Sequence, residues 1–336
     1  MEIIKRIIAF ISSMRAGLFL LAAIGISSAI GSYFLPSTFY RSPTFQLLLA
    51  LLLINMALCT VQQLIKIVKR AQSGQSTEKP FSASAIRRYG LIMLHAGLVI
   101  VLIGGTINSL GGHSEKVSII EGEGLEINRV IPEAKPFILQ VDEFKIEFNE
   151  DASPSQYISN VSIIEHGEVV REYSISVNNP LAHEGIKVYQ SSFGYLIDVE
   201  VKADNAASER KLLQEESVIN LQGTEKAVLV YRYIPDFDLA HGMETRSYRP
   251  DNPVIIYSVY EKGSLLNVGY ASLGDTVEVA ENAFVTFHGV KPYTGLIIKR
   301  DPGLAVAAVG GIMLMLGACL ASIFKAKKSE QKDLTE

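Results

Sequence analysis

Four stretches of this chain each run for about twenty residues or more without a fixed charge. Residues 16–35, 44–65, 89–110 and 303–324 contain no Asp, Glu, Lys or Arg. As helices they are long enough to cross the ~30 Å hydrocarbon layer of a bilayer. A backbone in hydrocarbon must satisfy its own hydrogen bonds, so these stretches read as transmembrane helices. The first follows Lys5, Arg6 and Arg15, as a signal peptide would. It is too long for the apolar part of one, and a second apolar run follows after a short gap, so it is expected to be retained.

Charge divides the chain the same way. Residues 111–302 hold 30 of the 35 acidic and 17 of the 31 basic residues, a net −13, and the remainder carries a net +9. The basic residues lie beside the spans: Lys5, Arg6 and Arg15, then Lys66, Lys69, Arg70, Lys79, Arg87 and Arg88, then Lys325, Lys327, Lys328 and Lys332. The 36–43 loop has only Arg41. Basic loops stay in the cytoplasm. Both termini, the 66–88 loop and the basic tail 325–336 are therefore expected inside, and 36–43 and 111–302 outside. No stretch joins a dense basic face to interleaved aromatics, so a nucleic-acid partner is not expected.

Residues 111–302 are enough to bury a core of their own. Their pattern has period two: Phe144, Ile146 and Phe148, then Tyr173, Ile175 and Val177, then Val228 and Val230, then Ile255, Tyr257 and Val259. Turn signals fall at His166-Gly167, Lys262-Gly263, Gly274-Asp275 and His288-Gly289. The segment reads as an antiparallel, sandwich-like all-β domain with one helical interruption near 203–217. The fold class is thus a membrane protein: region 1–110 with three helices, a β-rich domain at 111–302, and a fourth helix at 303–324.

The outer domain offers little chemistry. It has no cysteine, and His113, His166, His183, His241 and His288 are widely scattered. No HExxH, GxSxG or CxxC occurs. Asp236 and Asp238 read as a solvated acidic loop. The spans are more informative. His95 lies about six residues into the third, where an ionisable group is costly and often functional. Hydrocarbon favours the neutral imidazole, which suits a metal ligand. A packed histidine bonded to a backbone carbonyl or to Asn55 is the alternative. At 1.5 Å per residue, His95, Cys59 and Cys319 share a depth of roughly 7–9 Å from the inner ends of their helices. That level is compatible with one ligand or redox site, or with two cysteines acting as small hydrophobes. Small residues at Gly25, Ser27, Ser28, Ala29 and Gly31, at Ala96-Gly97, Gly104-Gly105-Thr106, Gly310-Gly311 and Gly317-Ala318 allow the helices to approach closely, either each other or another membrane protein.

Three segments carry a resemblance. LHAGLVIVLIGG at 94–105, VNNPLAHEGIKVYQSSFG at 177–194 and GLIIKRDPGLAVAAVGGIMLMLG at 295–317 are together similar to the ResB-like (CcsB) family of cytochrome c biogenesis proteins, system II, as are Asn55 and Cys59. The order of three helices, a β domain and one helix matches as well. The resemblance implies a subunit that, with a tryptophan-rich ResC/CcsA-type membrane partner, carries haem (haem b) across the membrane and delivers it to apocytochrome c. It implies that His95 is an axial ligand of the haem iron; Cys59 and Cys319 stay weaker cofactor-binding candidates on their shared depth alone. A bacterial plasma membrane is the simpler expectation for its location, with a plastid membrane as the alternative. The chain has no tryptophan, so the haem-presenting tryptophan-rich loop is expected from another chain. Ending at residue 336, the chain is not expected to be the fused form. It is thus not an enzyme alone but part of a cytochrome c synthase complex. A scaffold that never ligates haem is one alternative. A membrane-anchored sensor or transporter is the other, disfavoured by four unbroken spans and short inner segments.

Overall fold

The computed structural model describes residues 10–34, 39–72, 82–202, 208–221 and 223–323. The expected basic tail 325–336 lies outside them, as do Lys5, Arg6 and Lys79. The chain divides into two compact units, 1–112 with 301–336, and 113–300.

The first unit is helical. Helices α1 (Met14–Phe34), α2 (Pro43–Gln72), α3 (Ala83–Gly111) and a later one, Leu304–Ile323, are each long and apolar enough to span a membrane. α2 and α3 run beyond their uncharged stretches into Lys66, Lys69, Arg87 and Arg88, because a helix need not end where hydrocarbon does. Ser82 caps α3, its hydroxyl accepting from the Ala85 amide.

The tightest contact in this unit joins α3 to Leu304–Ile323. Glycines recur every seven residues on both, at 90, 97 and 104 and at 303, 310 and 317. They meet in antiparallel order, Gly90 by Gly317, Gly97 by Gly310 and Gly104 by Gly303. A Cβ on Gly97 would lie 2.5 Å from the Leu314 amide nitrogen and 2.7 Å from the Gly310 carbonyl oxygen. Lipid tails are as apolar as leucine, so close van der Waals packing of this kind is what holds such a pair.

The second unit is all-β, with one helical turn, α4 (Ile127–Val130); the last membrane helix is therefore α5. Its backbone is one long antiparallel ribbon of β7 (Ile186–Lys202) and β14 (Ala283–Arg300). β1 (His113–Ile120) and β13 (Thr276–Ala280) flank β14, while β6 (Leu181–His183) and β8 (Glu209–Leu213) flank β7. Two four-stranded antiparallel sheets cover this six-stranded one. The first is β2 (Gly124–Glu126), β3 (Ile138–Phe148), β4 (Pro154–Glu165) and β5 (Glu168–Ser176), in that order. The second runs β12 (Ser264–Ser272), β11 (Val254–Glu261), β10 (Lys226–Ile234), β9 (Ser217–Asn220).

Two cores result. Ile186, Val188, Leu296 and Ile298 of the ribbon pack with Leu139, Val161, Ile163 and Ile175. Ile197, Val199, Val285 and Phe287 pack with Val228, Val230, Ile255 and Tyr257. Both ends of the ribbon are buried on alternating residues, which is the period-two pattern realised.

Two expectations fail here. The helical interruption at 203–217 is a strand over Glu209–Leu213, with 203–207 outside the described residues. Arg210 donates two hydrogen bonds to Asp198 on β7, at 2.7 and 2.6 Å, and ties this segment to the sheet against its helical composition. His288-Gly289 is no turn but a bulge within β14. His166-Gly167 and Lys262-Gly263 do turn, each with φ positive at both residues, as two-residue hairpins require.

The glycine contact yields a test. Gly97→Ala should destabilise the membrane helices by about 1–3 kcal/mol, because backbone and not a mobile side chain meets the new methyl. Gly105→Ala, where nothing lies within 4 Å, should stay within about 0.5 kcal/mol. Thermal unfolding in detergent checks both, and equal effects would contradict the contact.

Candidate functional site

His95 sits in the N-terminal half of α3, partly buried. Its Nδ1 lies 2.7 Å from the Leu91 carbonyl oxygen, one turn back. A carbonyl only accepts, so Nδ1 carries the proton and donates. Nε2 then keeps its lone pair, and it has no hydrogen-bond partner among the described residues. Metal-ligating histidines show this arrangement, with one nitrogen fixed by a carbonyl or carboxylate and the other presented to the metal. Asn55 is not the partner.

Around the helix, His95 lies roughly 150° from the glycine seam. It faces away from α5. It lies within roughly 40° of Ser109, which accepts a 3.2 Å hydrogen bond from Gln46 of α2. Cys319, two residues past Gly317, is about 200° from the seam on α5 and is exposed.

Cys59 is engaged elsewhere. The helical path breaks at Ser12 and Ser13, just before α1, and a break frees carbonyls that need other donors. Buried Asn55 donates to the carbonyls of Ile11 and Ser13. Cys59 Sγ donates to the Ser12 carbonyl at 3.0 Å, and Gln62 donates to the Ser12 hydroxyl at 2.9 Å. These three residues, one turn apart on α2, close the break. The structure thus places His95, Cys59 and Cys319 on separate faces. Among the described residues no three His, Cys, Asp or Glu side chains form a metal-binding group.

In the β unit, the family-like segment 177–194 is built around backbone geometry. Glu184 and Gly185 both have positive φ and turn β6 into β7. His183 Nε2 lies 2.8 Å from Glu165 Oε1. Gln190 belongs to a buried triad: Ser159 Oγ lies 2.8 Å from both Gln190 Oε1 and Thr294 Oγ1. Ser191 is the extra residue of a bulge there, since Gly295 pairs with Ser192 and Leu296 with Gln190.

Next to the bulge is a cleft of about 590 Å³ that the sequence did not single out. Phe193 stacks on Tyr157 with ring centroids 5.0 Å apart, and Tyr195 meets Tyr233 at 4.7 Å. Burial, with help from the neighbouring Tyr195, pushes the Tyr233 hydroxyl up to about 12. The rings come from residues far apart in the chain. The one local signal is Gly194 between two aromatics, where a Cβ would collide with the Tyr293 ring.

Asp236 follows Pro235, which lines this cleft, and it is not solvated. It is 1% exposed. Arg246 donates to both its oxygens at 2.9 and 3.0 Å, and Ser247 adds a third bond at 3.0 Å. The partner is ten residues away, beyond any local pattern. Asp238 behaves as expected for an acidic loop, exposed and bonded to the Ala240 amide.

The ResB-like family matches residues 82–272. The chain belongs to this family. The match takes in α3 with His95, the ribbon strand β7 and the cleft apart from Tyr293. Cytochrome c biogenesis protein CcsB of Picosynechococcus is 26% identical over 264 residues, covering 76% of this chain and 55% of that protein. Cytochrome c biogenesis protein Ccs1 of Rhodomonas salina is 29% identical over 246 residues, covering 70% and 53%. The chain thus spans about half the length of these ResB-like relatives. An overlap with the solved cytochrome c heme lyase CcmF has a TM-score of 0.32 at 11% identity, over 92% of this chain and 35% of that one, too little to assign a fold.

The Asp236 pair gives a pH prediction. Arg246 holds the carboxyl below the usual carboxylate range. Its charge therefore stabilises above the unfolded value of ~3.9, and the contribution is lost as pH falls through the lower folded value. Asp236→Asn should cost most near neutral pH, with the gap to wild type narrowing below about pH 4. Denaturant melts followed by tyrosine fluorescence measure it; a gap constant with pH would mean the charge is idle.

Proposed function

We propose that this chain is a membrane subunit of cytochrome c maturation. In this reading it holds haem through His95, works with a tryptophan-rich ResC/CcsA-type membrane protein, and passes haem to apocytochrome c. Haem is cargo here and not a resident group. Membership of the ResB-like family and the names of its relatives support the pathway. The observation that carries the His95 role is the Leu91 bond, which leaves Nε2 as a free lone pair at the inner level of a helix. A neutral imidazole there supplies an iron ligand without burying a charge. The second axial ligand comes from the partner, because neither cysteine shares the His95 face. Thioether formation belongs to the complex and not to this chain alone.

The basic residues favour a plasma-membrane arrangement of a bacterial cell, with both termini in the cytoplasm and 111–302 outside. The net −13 of that segment would attract cytochromes that are basic around their haem sites. Apocytochrome affinity should then weaken as salt rises, because exposed charges are screened. Binding that is flat across a salt titration would remove the steering role.

The ligand role is tested by absorption. The chain co-purified with its partner should show a Soret band that His95→Ala loses or shifts and that added imidazole restores. An unchanged spectrum in the variant would leave the chain a scaffold, with haem held by the partner alone.

A further inference from the structure

β7 is paired on both sides at its ends and on one side only in the middle. β6 reaches no further than Val188, and β8 begins at Ile197. Between them, residues 189–196 pair with β14 alone among the described residues. At ~3.3 Å per residue this is an open edge about 26 Å long. Native sheets rarely leave such an edge bare, because its unpaired amides and carbonyls recruit another strand. Side-chain capping is slight: Gln190 Nε2 takes the Ser192 carbonyl at 2.9 Å.

The aromatic cleft lies on this same edge. Phe193, Gly194 and Tyr195 line it from β7, and Gln214 and Glu215 line it where the chain leaves β8. Tyr233 closes the floor, and exposed Tyr248 stands at the rim beside Phe193, ring centroids 5.9 Å apart. Glu244, 83% exposed, sits at the mouth 3.8 Å from Arg232. No His, Cys or Met lines the cleft, and its only carboxylates are Glu215 and Glu244.

We infer that the open edge of β7 and its aromatic cleft form a docking site for an extended, unfolded polypeptide strand, which adds to β7 between β6 and β8 and places an apolar or aromatic side chain among Phe193, Tyr195 and Tyr248. Strand addition supplies affinity through the main chain, and the pocket supplies specificity through alternate side chains. Glu244 and the acidic surround favour a basic residue next to the one that enters. Resting on the function proposed above, the strand is the haem-attachment segment of the apocytochrome, which has to be unfolded while it waits for haem.

The probe is a fluorescein-labelled peptide of about ten residues holding a reduced Cys-Xaa-Xaa-Cys-His segment beside one phenylalanine and one lysine. The target is the full chain in detergent, read by fluorescence anisotropy. Binding should saturate, and Tyr248→Ala should weaken it severalfold. N-methylation of alternate peptide amides should separate the two registers. Blocking the amides that face β7 should cost about fivefold or more per bond, and blocking the others should cost little. No saturable binding, equal effects of both methylation sets, or displacement by iron-free protoporphyrin without register dependence would each overturn the proposal. The Soret band that depends on His95 is measured separately, so a failure here leaves the haem reading standing.

Discussion

Inside a membrane every backbone carbonyl must find a donor, and most polar side chains of the helical unit answer to that requirement. The break at Ser12 and Ser13 frees carbonyls that the helix no longer satisfies. Asn55 and Cys59 take them, with Gln62 on the neighbouring hydroxyl. Thr60 and Thr106 return their hydroxyls to carbonyls one turn back. His95 does the same with Nδ1, which leaves Nε2 as a second polar atom turned away from the glycine seam. Its availability for a ligand follows from the solvent that makes the other groups close on themselves.

The β unit answers a different constraint. One ribbon serves two cores, so its strands must be long and must change partners along their length. Bulges do this work. Ser191 is inserted opposite Gly295, and His288 is inserted where Phe287 and Gly289 step past β7. Each insertion bends and twists the ribbon. Between the two cores the flanking strands cannot both stay in contact with β7, which leaves the middle of its edge open. The cleft is the space left where β8 departs, lined with rings because aromatic side chains can reach across it.

How much of this the sequence carries depends on range. The four spans need only an uncharged run, and the β domain only alternation, so both are legible. The strand over Glu209–Leu213 is not, because its residues favour a helix and Arg210 finds Asp198 only in the folded sheet. Asp236 looks solvated until Arg246 is brought onto it. Depth along a helix put His95, Cys59 and Cys319 at one level, but depth carries no information about direction around the axis. The seven-residue glycine period does, and it was present in the chain at 90, 97, 104, 303, 310 and 317. That period fixes which faces of α3 and α5 meet, and so which face His95 presents.

Glycine and bulge act alike in the two units. In the helices, missing side chains let two backbones touch, and the residue across the helix from that seam is turned toward whatever lies outside the pair. In the ribbon, Gly194 lets the Tyr293 ring lie against β7, and the strand edge beside it is left without a neighbour. Where a chain seals nearly all of its polar backbone, the few groups it leaves unsealed are informative. Two such groups are an imidazole nitrogen in the membrane and a strand edge beside a ring-lined cleft. The first suits a metal held by one neutral ligand. The second suits a chain that has not yet folded. On the function proposed, haem and an unfolded cytochrome would meet through these two chemistries, each built on a rigid element, because neither a free imidazole nor a bare strand edge would persist on a mobile loop without closing on itself.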